Sequence, residues 1–496
     1  MANIAAEAGF RLPDRREYAP QFFVNHDDAI KLVDGKVVQG QAGAPVDEPI
    51  VNFWGPAGIG KTWLLKHMRE KYTYPRQSTP AWQIPTCALL CDFGADRAPT
   101  PDSVTQCLAA ELLSQAGPTL STAECATLRW VAQAPNAGAF VTVLLDTVSP
   151  SRQRLCPLIL LDHCDTVGQD TWQQIEFDVI EPLVASDRVL FLTASRRPLT
   201  LYNWKRFEVR RRATSWQRTC LAPFKDEDIE REVGLLEIDL DALHLPLKSL
   251  YPYTAGSPYV AQAMFELLVP PAEARRLPQQ GEMTTVLEVV KAAEREMWKG
   301  VPGRLFAVLD AIAPLRFFTR EMVQDMLARM NTTLSRPPLL ACNRLCQDLE
   351  QDTELVAWDT ERSAYVMNAV LRRLIDAHRL LETPDLYEER HEWALDWYRN
   401  QGQIYVAAKD VLEIWFHLVK RNIRHNDPTG LMVKIRATWQ EFEPRLTLEA
   451  KHAVHQLLVD DTELCSLLPQ AVLDEIGTLR PSLIGLGGQR HDDPIK

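Results

Sequence analysis

Apolar residues in the first two hundred positions gather in short runs separated by stretches of helical periodicity. Ile50-Val51-Asn52-Phe53-Trp54, entered from Pro49, is one such run. Pro157-Leu158-Ile159-Leu160-Leu161-Asp162 is a second, and Val189-Leu190-Phe191-Leu192-Thr193-Ala194 a third. Runs this short, bounded by polar clusters, suit parallel strands buried on both faces. Helical stretches such as Trp63-Leu64-Leu65-Lys66-His67-Met68 lie between them. The alternation over residues 21–220 therefore predicts an α/β domain with a parallel sheet. Residues 221–299 read as a helical lid. Asp226-Glu227-Asp228 enrich a helix start in acid, Tyr259 to Leu268 is apolar at helical spacing, and Pro270-Pro271 interrupts the pattern. Residues 300–382 fit a winged helix, with Leu355-Val356-Ala357-Trp358 and Tyr365-Val366-Met367 as wing strands. Thr383 as N-cap and Pro384 at the first helical position open a helical, repeat-like module over 383–483. There Trp393, Trp397, Leu412, Trp415, Phe416, Leu418 and Trp439 fall on amphipathic helices. That module reads either as a plain helical cap or as a groove for a partner peptide. Residues 1–20 read as a polar arm and 484–496 as a disordered tail.

The join between the first run and its helix carries the strongest chemical signal. Gly55-Pro56-Ala57-Gly58-Ile59-Gly60-Lys61-Thr62 is a phosphate-binding loop, G-x-x-x-x-G-K-[ST], followed by Trp63. Its glycines let the backbone curl so that successive N–H groups point at phosphate oxygens. The helix that starts there adds its positive dipole end. Lys61 is placed to reach the β- and γ-phosphates, and the Thr62 hydroxyl to ligate Mg²⁺.

The second run ends in Asp162, at the carboxyl end of a strand, where open α/β sheets place their ligands. This is the Walker B arrangement, in which the Asp holds the Mg²⁺ shell opposite Thr62. Asp165, three residues on, reads either as the group that orients or deprotonates the attacking water or as a helix cap. The third run leads into Ser195-Arg196-Arg197-Pro198. An arginine at that strand tip suits a γ-phosphate sensor, being permanently charged and forked. Either Arg196 or Arg197 fits the role.

In series these motifs resemble the STAND-class NTPases, the NACHT and NB-ARC branch of the AAA+ relatives. Phe22-Phe23-Val24-Asn25-His26-Asp27-Asp28 resembles the family segment that cradles adenine, with His26 where an Arg is usual. Asp162-His163-Cys164-Asp165 resembles its Walker B, Ser195-Arg196-Arg197-Pro198 its sensor, and Gly256-Ser257-Pro258 its G-x-P motif, whose Pro258 packs near the adenine. Tyr365-Val366-Met367-Asn368-Ala369 resembles the Met-His-Asp segment, with Asn368 in place of the His that binds the ADP β-phosphate. The resemblance spans roughly residues 20–385. It implies ATP or ADP with Mg²⁺ as cofactors, slow ATP hydrolysis, and control of a separate effector or sensor chain through conformational change or ATP-dependent homo-oligomer assembly. Two other readings stay open: a nucleotide-locked scaffold without useful turnover, and a winged-helix transcription regulator.

Composition narrows the partners. The net charge of −12 argues against nucleic acid as the main partner. The exception is the basic run from Arg196 to Arg218, which reads either as a patch for an acidic partner or as a solvated edge strand. The ten cysteines form no C-x-x-C pair, which favours buried thiols over a metal site or disulfides. No apolar run approaches the roughly 18 residues that a membrane span needs. The start, Met1-Ala2-Asn3-Ile4, lacks a basic and then hydrophobic leader, so a cytoplasmic location is expected.

Overall fold

A computed structural model describes residues 17–73, 84–94, 99–149, 151, 154–196, 198–199, 217–235, 247–268, 282–298, 301–330, 337–353, 355–359, 362–402, 407–425 and 427–478. The arm before residue 17, Arg197, Pro270-Pro271, the tail and most of the basic run lie outside the described residues. The chain divides into two compact units. The first comprises Met1–Gly300 with Asp348–Ala357 and Asn368–Leu371, and the second Val301–Gln347, Trp358–Met367 and Arg372–Lys496.

The first unit is built on a five-stranded sheet. Its strands are β1 (Ile50–Trp54), β2 (Thr86–Asp92), β3 (Cys156–Asp162), β4 (Leu190–Ser195) and β5 (Gln217–Cys220). Their order is β2-β3-β4-β1-β5, and every pairing is parallel. Every residue of β3 and β4 is buried, which is why their sequences run apolar without alternation. The third apolar run thus forms β4, lying between the strand that feeds the phosphate loop and the strand that ends in Asp162. Helices α1 (Asp27–Gln41), α2 (Lys61–Tyr72), α3 (Pro101–Ala116), α4 (Thr122–Gln133) and α5 (Ala137–Val148) connect or flank the strands. Leu108 and Leu112 of α3 and Phe140 and Leu144 of α5 share one core with Leu89, Ile159 and Phe191 of the sheet. Reciprocal bonds between Thr100 and Ser103, and between Ser121 and Glu124, start α3 and α4 and satisfy otherwise orphaned amides. β5 takes the edge beside β1, where the sequence allows a solvated edge strand.

The lid consists of helices Asp226–Leu235, Leu247–Thr254, Pro258–Leu268 and Glu282–Met297. Helices Gly303–Ile312, Arg320–Met330 and Leu339–Asp352 then precede a two-stranded ribbon, β6 (Val356–Asp359) and β7 (Ala364–Met367). Phe318 adds a further bridge, exchanging both backbone hydrogen bonds with Tyr365 at 2.8 and 2.9 Å. This is the winged layout expected from the sequence.

A helix begins at Pro384 as expected, but Thr383 does not cap it; its hydroxyl is buried without a partner. The indole and phenyl faces of Trp393, Trp415, Phe416 and Trp439 are buried.

Charges also fill the interior of this second unit. Arg316 bonds Glu413, its Nε 2.8 Å from Oε1, and pairs with Asp461. Arg372 and Arg373 share Glu463. Asp310 receives Arg379 at 2.8 Å and Arg390 at 2.7 Å. Asp376 accepts from Lys420 at 2.7 Å and from His391 Nε2 at 3.0 Å, and His391 Nδ1 lies 2.8 Å from His417 Nδ1. Removing one partner of such a buried pair costs about 3–5 kcal/mol, because it strands a desolvated charge.

The two imidazoles tie this unit to pH. Burial lowers the pKa of His391 from 6.5; Lys420 and Arg372 act in the same direction, and Asp376 opposes. Burial likewise holds His417 well below 6.5, reinforced by His391, Arg316 and Arg372 and opposed by Asp376. Both bind a proton less readily when folded than when unfolded, so below pH 6.5 the unfolded chain binds more protons and stability falls. It should stay level above neutrality and decline below about pH 6.5, by up to about 1.4 kcal/mol per pH unit for each histidine. Urea unfolding between pH 5 and 8 measures this; His417→Leu should reduce the slope by one proton.

Candidate nucleotide-binding site

The phosphate loop leaves β1 at Gly55, whose amide donates to Ser195 O at 3.2 Å. Gly58 and Gly60 have φ of 81° and 99°, and the loop ends where α2 begins, with Gly60 at its N-cap. A side chain at Gly60 would be strained by that φ and would also meet His26, whose Nε2 lies 3.0 Å from the position of a Cβ. His26 is buried, with φ +67°, and its Nε2 hydrogen-bonds Ile59 O at 3.1 Å. Burial lowers its pKa to about 4. It is therefore a neutral ring, and the nitrogen facing a carbonyl carries the hydrogen. In the position where the resemblance puts an arginine, this chain has a ring that braces the loop.

A cavity of about 390 Å³ opens over this loop, within the usual size range for small-molecule sites. Ala57, Gly58, Gly60, Lys61, Thr62 and Trp63 form its floor. Phe22, Phe23 and Val24, the residues Phe224, Pro258, Tyr259 and Gln262, and His163, Asp165 and Arg196 line it as well. The sequence-derived residues Val24, Lys61, Thr62, Trp63, Asp165, Arg196 and Pro258 therefore come together. Gly55, Pro56 and the fully buried Ile59 support the loop from below without lining the cavity. Lys61 Nζ bonds the carbonyls of Gly55 and Pro56, each at 2.7 Å. The lid meets the loop through Ser257, whose hydroxyl lies 3.4 Å from Gly58 O.

Asp162 is buried and does not line the cavity. Its carboxylate accepts a hydrogen bond from the Thr62 side chain and one from the His163 amide at 2.8 Å. Desolvation raises its pKa, against the opposing pull of His163 and Thr62. A hydroxyl and a carboxylate in contact supply the hard oxygen donors that suit Mg²⁺.

Asp165 lies on the short turn Cys164–Thr166 and caps no helix. Its Oδ1 accepts the Arg196 amide at 3.0 Å, and its Oδ2 sits 3.5 Å from Arg196 Nε. Asn368 does not line the cavity. Its Oδ1 accepts the amides of Val370 and Leu371 at 3.1 and 3.2 Å, capping the helix Ala369–Glu382. The short carboxamide is satisfied by its own helix start, which corrects the expectation that it faces a nucleotide.

Three residues escape motif reading. Asp92 ends β2 in register with Asp162. His163 carries φ +55° and places Nδ1 2.8 Å from Asp92 Oδ1. That bond raises the pKa of His163 and lowers that of Asp92. Lys66, one turn along α2, also lines the cavity.

Cys87, Cys91, Cys107, Cys125, Cys156, Cys164, Cys342, Cys346 and Cys465 are free thiols. Among the described residues, no helix is long and apolar enough to cross a membrane.

No protein-family model matches this chain, and no curated protein matches it. Solved structures do. The Aeropyrum pernix ORC2 protein, in ADPNP-ADP complexes, is 12% identical and matches over 77% of this chain and 97% of its own, with a TM-score of 0.43. Cdc6p from Pyrobaculum aerophilum is 12% identical, covering 72% and 97%, with a TM-score of 0.35. The Thermotoga maritima RuvB Holliday junction branch migration motor is 11% identical, covering 70% and 92%, with a TM-score of 0.31. These are likenesses of fold alone.

Gly60→Ala tests the brace between loop and His26. A non-glycine residue in left-handed backbone costs about 1–2 kcal/mol, and the new methyl displaces the His26 ring. Thermal unfolding without nucleotide should show a loss of at least that size, whereas Gly117→Ala, where a Cβ has open space, should show none.

Proposed function

We propose that this chain is an ATP-binding regulatory switch of the STAND type with slow ATP hydrolysis. The observation that carries the reading is a single cavity lined by Lys61 and Thr62 of the phosphate loop, Arg196 at the tip of β4 and Pro258 of the lid.

In this reading the triphosphate lies over the loop amides and the start of α2. Lys61 exchanges its bonds to Gly55 O and Pro56 O for phosphate oxygens. Thr62 and Asp162 hold Mg²⁺, which neutralises charge on the phosphates. The base packs among Phe23, Val24, Phe224 and Pro258. Arg196, held at its amide by Asp165, reaches the γ-phosphate, so its position differs between ATP and ADP. The lid contacts the loop through Ser257, so a change at the phosphates reaches the lid helices directly. A ligand shifts such an equilibrium only by its differential affinity for the two states. The output is control of a separate effector or sensor chain, or assembly of copies on ATP. A scaffold that binds nucleotide without useful turnover is the second reading. What favours it is that Asp165, the motif's candidate for handling water, is already bonded to Arg196.

Lys61→Ala should weaken binding of a fluorescent ADP analogue at least a hundredfold while leaving the unfolding temperature of the free protein within about 2 °C, since its ammonium bonds carbonyls of its own loop, which water can also reach. Unchanged affinity would refute the phosphate-loop assignment. X-ray scattering with ADP and with a non-hydrolysable ATP analogue should differ in radius or in oligomer mass. Identical profiles, also in the presence of any copurifying partner, would leave the scaffold reading.

A further inference from the structure

The lid helix Pro258–Leu268 brings a carboxamide to the cavity. Pro258 starts the helix, and Gln262 stands four residues on, one turn along the same face; both line the cavity. The start of the helix sits beside the phosphate loop, where the Ser257 hydroxyl lies 3.4 Å from Gly58 O. At about 1.5 Å per residue, Gln262 is about 6 Å farther along the axis than Pro258. The phosphates of a nucleotide take the loop amides and Lys61, so its base falls among the apolar lining residues Phe22, Phe23, Val24 and Phe224. Such residues cover the faces of a base. Telling one base from another takes a polar group at its edge.

The amide of Gln262 has a fixed sense. The side chain is buried, and its Nε2 donates to Glu266 Oε1 at 3.0 Å. A carboxylate only accepts, so the nitrogen end must face Glu266, and the opposite end, Oε1, is left for a ligand. Glu266 is one turn farther along the helix and does not line the cavity. It orients the amide without occupying the site.

We propose that Gln262 selects the base: Oε1 accepts a hydrogen bond from the 6-amino group of adenine, and Glu266 is the positioning residue that holds the amide this way round. The inference deepens the nucleotide reading above and rests on it. A 6-oxo purine puts a carbonyl oxygen where adenine has its amino group. The lone pairs of that oxygen then face those of Oε1, and both acceptors give up water without gaining a partner. Turning the amide would not relieve this, because it would set Oε1 against the Glu266 carboxylate. One residue outside the cavity thereby makes the site intolerant of the wrong base.

Competition against a fluorescent ADP analogue tests this with ADP and with IDP, whose base edge differs by the 6-oxo group and a hydrogen on N1. The parent protein should bind ADP at least tenfold more tightly than IDP. Gln262→Leu should bring the two within threefold of each other by weakening ADP. Glu266→Gln should narrow the ratio in the opposite way, by strengthening IDP while ADP stays within threefold of the parent, because an amide partner lets Gln262 present either end. A purely structural role for the pair predicts equal losses for both nucleotides, and that result would overturn the proposal. So would a parental ratio in Gln262→Leu, or, where that variant fails to fold, a parental ratio in Glu266→Gln. Equal binding of ADP and IDP by the parent, or tighter binding of GDP than of ADP through the Glu232 carboxylate that also lines the cavity, overturns the base assignment and leaves the phosphate-loop reading standing. A parent protein that binds none of the three overturns both.

Discussion

Asn52 is a polar residue in the middle of an apolar strand, fully buried, and the geometry of the site depends on it. Its Nδ2 donates to Thr193 Oγ1 and to Ser195 Oγ, each at 3.0 Å, and its Oδ1 accepts the Leu199 amide at 2.9 Å. Backbone pairing alone would hold β1 against β4. The carboxamide does more, because it also fixes where the chain goes after β4 ends. Arg196 follows Ser195 directly, and the Ser195 carbonyl takes the Gly55 amide. Loop entrance and the tip of β4 are therefore located relative to each other by one side chain. An aliphatic replacement would leave the buried Leu199 amide unpaired, a penalty of about 1–3 kcal/mol.

The strand order works on the same scale. With β4 between β1 and β3, the loop and Asp162 are not on neighbouring strands, and α2 has to carry Thr62 across to the Asp162 carboxylate. β3 meanwhile brings Asp162 level with Asp92 of β2. The acidic end of the sheet and the basic end of the loop thus face each other across the width of one strand.

What was legible in the sequence was what is encoded locally. A phosphate loop needs its glycines at set positions, so Gly55 to Thr62 could be found without a fold. Strands buried on both faces spell continuous apolar runs, so β1, β3 and β4 could be placed to within a residue. Asp92 could not be found, because its meaning comes from the register of a strand paired across many residues. His163 was visible only as a neighbour of Asp162; its contact with Asp92 follows from a backbone bend that its residue type does not suggest. Asn368 misled because motif position and local capping compete for the same side chain, and capping is satisfied by its own chain. In the second unit, Arg372 and Asp376 look like polar positions of an ordinary helix, and Arg316 like a polar residue of a connection. Their burial follows from partners far along the chain, which periodicity cannot reveal.

Those distant partners also set a timetable. Arg372 meets a carboxylate 91 residues later and Arg316 one 145 residues later. During synthesis at about 5–20 residues per second, each arginine waits several seconds or longer for its counter-ion. Until then a collapsed second unit would hold desolvated cations with incomplete pairing, which is costly enough to disfavour early collapse. Pairing of the unit's interior charges is therefore completed only after its last carboxylates have been made. The sheet of the first unit closes earlier, because its most distant strand partner has by then already been made.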